Sequence, residues 1–186
     1  MIEKDNILFV LKNAKEAIEK KDPVLLREMS NRTIHSASIY KDPDAVMVAV
    51  TTYALSKILE RENYRNYPEW EPFVELCSKF LENAISSLEK NNLKAFRKNM
   101  IKIRKQTEKI TSKLKDYISE VFKKAAINKA SRIYEHGISR AETAELLGIT
   151  QWELAEYVGI TGIPDVNLGI TKSIKDRINL ARDLFR

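Results

Sequence analysis

Residues 42–62 read DPDAVMVAVTTYALSKILERE, and this stretch decides the fold. Asp42-Pro43 is a helix-start signal: an aspartate to cap, then proline at the first helical position, where its missing N–H costs nothing. Behind it, Val46, Met47, Val48, Val50, Tyr53, Leu55, Ile58 and Leu59 surround the helix almost completely with apolar side chains. A helix without a polar face belongs in the middle of a bundle. The same start signal at Asp22-Pro23 opens a helix with Leu25, Leu26, Met29 and Ile34 facing inward. Ahead of it, Ile7, Leu8, Leu11, Ala14 and Ile18 recur at helical spacing and predict a first helix over about 6–21. Beyond a connection at 63–68, Trp70, Phe73, Leu76, Cys77, Phe80, Ala84, Ile85 and Leu88 define a fourth helix that stops near Asn91-Asn92.

The next segment carries a heptad seam. Phe96, Met100, Ile103, Thr107, Ile110, Leu114, Tyr117 and Val121 step by 4, 3, 4, 3, 4, 3 and 4, filled except at Thr107. Unbroken to Tyr134, this fifth helix would be a rod of ~60 Å that crosses the protein, joins two domains or pairs with a second subunit. A break near 112–115 is the alternative. All five glycines fall after residue 136, at Gly137, Gly148, Gly159, Gly162 and Gly169, so helices there are shorter. A last helix, about 173–185, places Ile174, Ile178, Ala181 and Phe185 on one face. The expected architecture is all-α: a helical bundle over 1–125 and a C-terminal domain over 126–186.

Composition narrows the class. Of 186 residues, 44% are hydrophobic and 31% charged, the balance of a globular chain. A single cysteine, Cys77, excludes an internal disulfide framework and suits a reducing compartment. The N-terminus has no signal-peptide core, and no run approaches the ~18 apolar residues of a membrane span, so a cytoplasmic protein is expected. The net charge of +6 is unevenly placed. Residues 90–132 hold 14 Lys or Arg against three acids, a local +11 that leaves −5 elsewhere. Such a block is expected to meet nucleic acid, an acidic partner or an acidic surface of the same chain, or to be a solvated face.

The most informative motif spans 139–158. Ser139 caps a helix from Arg140 to Leu147, with Glu142 three residues on as the reciprocal partner of a capping box. Gly148 ends that helix in the left-handed region. Ile149 turns inward, and Thr150 caps a second helix running from Gln151 to Val158. Ala144 is small where the two helices approach, and Leu147, Ile149, Leu154 and Tyr157 or Val158 supply a shared core. That spacing predicts a helix-turn-helix, with an ordinary helical hairpin as the alternative.

The segment 136–164 also resembles a small prokaryotic family of predicted antitoxins of unassigned function. The shared texture is Gly137–Ser139, Ala144–Thr150, Gln151–Leu154 and Gly162–Pro164. The resemblance implies a DNA-binding autoregulator acting beside a toxin nuclease; the bundle lies outside it.

On a DNA-binding reading, Thr150, Gln151 and Trp152 meet bases or phosphates from the N-terminal turn, with Arg140 nearby. Lys172, Lys175 and Arg177 add phosphate contacts from the last helix. Two-fold operators then favour a homodimer. One feature opposes simple DNA reading: the window 138–160 sets Arg140 against Glu142, Glu145, Glu153 and Glu156, a balance of −3. The second reading is therefore an adaptor whose acidic motif grips a protein partner, toxin-like or other. A third is a helical ribonuclease using Arg32 and His35, which lie one helical turn apart, although a polar patch fixing that helix beside the buried central helix is the favoured explanation. His136 is accounted for as a charge at a helix end. Two histidines and one cysteine, widely spaced, make no metal-ligand set, and no Gly-x-Gly phosphate loop occurs. No cofactor and no enzymatic activity are expected.

Overall fold

The computed structural model describes residues 3–40, 42–106, 113–135, 139–147, 150–152 and 154–155. They form α1 (Lys4–Glu19), α2 (Pro23–Tyr40), α3 (Pro43–Leu59), a 3-10 turn (Glu62–Asn66), α4 (Trp70–Glu89), α5 (Leu93–Gln106), α6 (Lys113–Glu135) and α7 (Arg140–Leu147). No strand occurs among the described residues, so the chain is all-α. None of their helices is long and apolar enough to cross a membrane.

Two helix pairs are joined by corners of the same design. At the end of α1, Lys21 takes φ 54°, the Asp22 N–H bonds the Ala17 carbonyl at 2.8 Å and the Lys21 N–H bonds Ile18 at 3.1 Å. At the end of α4, Asn91 takes φ 57°, with Asn92 to Ser87 at 2.8 Å and Asn91 to Leu88 at 3.0 Å. This is the Schellman closure, made here without glycine; asparagine tolerates the left-handed region, whereas Lys21 costs about 1–2 kcal/mol there. The following residue then starts the next helix. Asp22 Oδ1 accepts from the Val24 and Leu25 N–H groups, and Asn92 Oδ1 accepts from Ala95.

α3 is the central helix, as its all-round apolar sequence requires. It touches α1, α2, α5, α6 and α7. Asp42 caps it, accepting from the Asp44 N–H at 2.9 Å. Its buried hydroxyls are satisfied by backbone carbonyls: Thr52 bonds Val48, Ser56 bonds Tyr53, and Ser30 of α2 reaches across to Ala49 at 2.7 Å. These small side chains let α2 and α3 approach closely without a stranded polar group. The core also takes Ile7, Leu11, Ala14 and Ile18 from α1, Leu26, Met29 and Ile34 from α2, and Phe73, Cys77, Ala84 and Leu88 from α4. Leu76, read from the sequence as part of the inner stripe of α4, is instead exposed, because Phe73, Cys77, Leu81 and Ala84 carry that face.

The long fifth helix is two helices. Arg97 of α5 grips the buried Asp44 with both forks, at 2.7 and 2.9 Å, while Lys129 of α6 stands 4.2 Å over the Tyr53 ring. Unbroken helix from Arg97 to Lys129 would span about 48 Å, whereas Asp44 and Tyr53 are only about 14 Å apart along α3. The seam holds through Phe96, Met100 and Ile103, all buried within the chain. Thr107 and Ile110 lie outside the described residues. In α6 the buried stripe is Ile118, Phe122, Ala125, Lys129 and Ile133, one residue out of phase with the heptad predicted through Tyr117 and Val121. The expected domain boundary near residue 125 falls inside α6, which packs on α2 and α3.

Candidate nucleic-acid interface

α7 is built on the end of the bundle, against α6 and α3. Ser139 caps it as its sequence predicts: its Oγ accepts from the Glu142 N–H at 3.3 Å, and its carbonyl accepts from Thr143 at 2.9 Å. Thr143 and Ala144 are buried, the small alanine allowing close approach. The Thr143 hydroxyl has no hydrogen-bond partner among the described residues. After Gly148 and Ile149, which lie outside the described residues, a new helical turn begins at Thr150. The Leu154 N–H bonds the Thr150 carbonyl at 3.2 Å, and Gln151, Trp152, Leu154 and Ala155 are helical.

This turn has a sharp inside and outside. Leu154 is 0% exposed, whereas Trp152 is 85% exposed, and Thr150 and Gln151 are exposed beside it. The structure therefore brings Thr150, Gln151 and Trp152 together on one surface turn. Arg140, at the first position of α7, is half-buried and already engaged within the chain. Lys172, Lys175 and Arg177 lie outside the described residues, as do Glu153 and Glu156. On α7, Glu145 is exposed and Glu142 is half-buried.

The ribonuclease pair has other attachments. Arg32 Nε donates to Asn6 Oδ1 at 2.9 Å, and its guanidinium lies 4.4 Å over the Phe9 ring. Both partners belong to α1, so this arginine ties α2 to α1. His35 is exposed and makes an interaction of its own within the chain. Cys77 is buried in the core, and burial pushes its thiol pKa up, which disfavours the thiolate a nucleophile needs. Among the described residues, no three His, Cys, Asp or Glu side chains gather as a metal site would require.

One group was missed by the sequence reading. Lys129 is only 1% exposed, with its ammonium 3.0 Å from Asn31 Oδ1 and over the face of Tyr53. Burial, with Arg132 and Lys57 nearby, lowers its pKa to about 8. Its signal was present in the spacing Ile118, Phe122, Ala125, Lys129, Ile133, which sets a lysine on an apolar stripe. It was hidden by carrying the α5 heptad phase across into α6.

Comparisons with protein families, curated proteins and solved structures find no match to this chain.

Proposed function

We propose that the protein is a DNA-associated regulator, a transcription factor or autoregulating antitoxin-like protein. In this reading α7 and the helix starting at Thr150 form a helix-turn-helix, and the bundle serves sensing or dimerisation. One observation carries it: Gln151 and Trp152 stand exposed together on the first turn of a helix whose Leu154 is wholly buried. A recognition helix presents its N-terminal residues to base edges in this way, while its inward face is locked by packing. Glutamine is suited to bidentate pairing with adenine, and the N-terminal amides favour phosphate. A homodimer would use a surface other than the α5 seam, whose described positions are filled from within the chain.

Selection from a random duplex pool followed by fluorescence anisotropy tests the reading. Gln151→Ala should cost about 1–3 kcal/mol at the selected sequence and leave random duplex almost unaffected. Failure to bind any duplex at low salt would end it.

The acidic flank supports a second reading, an adaptor that grips a protein partner, since a lone exposed tryptophan is also a common anchor in protein interfaces. Glu153→Lys and Glu156→Lys separate the two. They should tighten DNA binding by relieving repulsion from phosphates, and break the contact with a basic partner.

A further inference from the structure

Among the described residues, the basic stretch of 90–132 does not rest as a whole on acidic side chains of its own chain. Where this protein's surface cations meet acids, the pairs are plain: Lys12 with Glu89, Lys15 with Glu19, and Lys21 with Glu71. α5 differs. Its sequence LKAFRKNMIKIRKQ contains six cations and no acid, so no i, i+4 partner exists within the helix. Lys94, Lys98 and Lys105 are exposed and reach no carboxylate among the described residues. With Ile101 they step by 4, 3 and 4 along one stripe, opposite the buried Phe96, Met100 and Ile103. The α4–α5 corner and the Arg97–Asp44 pair anchor the start of this helix.

We propose that this outer face of α5 binds the sugar–phosphate backbone of a nucleic-acid duplex through Lys94, Lys98 and Lys105. The three ammonium groups are spread over roughly 16 Å of helix, matching about five base pairs of a polymer that carries a phosphate every ~3.4 Å per strand. A lipid surface fits poorly: a helix lying in a membrane buries its apolar side there, and that side of α5 is already in the bundle. A protein partner fits poorly too, since protein interfaces have a core depleted in charge, and the stripe offers only Ile101, 47% exposed. Single strands are bound on stacking aromatics, and none stands on this stripe. The face is a different surface from the Thr150–Trp152 turn and needs nothing from it.

The test is the triple variant Lys94→Gln, Lys98→Gln, Lys105→Gln of the full chain, bound to a labelled random-sequence duplex across a salt series. Removing like charges from an exposed face does not endanger folding, which thermal unfolding checks. The slope of log affinity against log salt should become shallower by up to about 2.7, near 0.9 for each lost contact. An unchanged slope would overturn the proposal. So would lysine-dependent capture on phosphatidylserine-containing vesicles without duplex binding. Gln151→Ala keeps the two claims apart: with the α5 contact real, that variant loses sequence preference and retains the full salt slope. A shallower slope in the triple variant therefore stands even if Gln151 proves indifferent.

Discussion

Lys129→Met should make the protein more stable at neutral pH, and the gain should vanish as the pH is raised. The ammonium sits in the core with an amide oxygen, an aromatic face and, among the described residues, no carboxylate, and Lys57 shares the same ring at 5.5 Å. In the folded chain it titrates at about 8, against an ordinary value of 10.5. Below pH 8 both folded and unfolded chains hold the proton, and the folded state bears the full cost of burying charge. Between pH 8 and 10.5 the folded state has released the proton while the unfolded state retains it, so stability rises with pH. The whole interval is worth roughly 3 kcal/mol at 1.36 kcal/mol per tenfold. Methionine has similar length and adapts to irregular space, and Asn31, being exposed, can turn to water. Urea unfolding of both proteins from pH 7 to 10.5 should show the stability gap closing. A variant less stable than wild type at pH 7, or a gap that ignores pH, would show that the tyrosine face and Asn31 outweigh desolvation.

Trp70→Ala should be the costliest single truncation in the bundle, at about 3–5 kcal/mol out of a total of roughly 5–15 kcal/mol. The indole is wholly buried at the start of α4, with its ring 6.4 Å from that of Phe73. Its Nε1 has no acceptor among the described residues, and an unsatisfied buried donor costs about 1–3 kcal/mol. Trp70→Phe keeps an aromatic ring and deletes that donor, so it should cost less than half as much as alanine. Circular dichroism in denaturant measures both. Equal losses would mean that the N–H is satisfied in solution.

The legible parts of the fold were those governed by local chemistry. Asp22-Pro23 and Asp42-Pro43 marked two helix starts, and both aspartates cap as expected. The all-round apolar character of 43–59 placed α3 at the centre, where it is found. Ser139 was readable as a cap, and the burial of Ala144 and Leu154 followed from helix spacing. What failed was continuity. No Gly or Pro interrupts 93–135, so periodicity ran α5 and α6 together, although the fold places Arg97 and Lys129 on nearby parts of α3. Non-local contacts made that decision, and local propensity does not encode them. The same slip concealed Lys129. In the candidate site, Gln151 and Trp152 were placed at the N-terminal turn of the second helix, where both are found exposed. The engagement of Arg140 and the tie of Arg32 to Asn6 and Phe9 depend on which helices meet.

Contact between the turn at Thr150–Trp152 and duplex DNA, as proposed, can be measured directly through the two tryptophans of the chain. Trp70 is buried and Trp152 is 85% exposed, so acrylamide should quench only the latter in the free protein. Saturating duplex at low salt, about 50 mM, should protect Trp152 from acrylamide, and raising the salt should restore quenching as the complex dissociates. A Trp152 that remains fully quenchable when the protein is saturated with duplex would rule out contact between this turn and DNA.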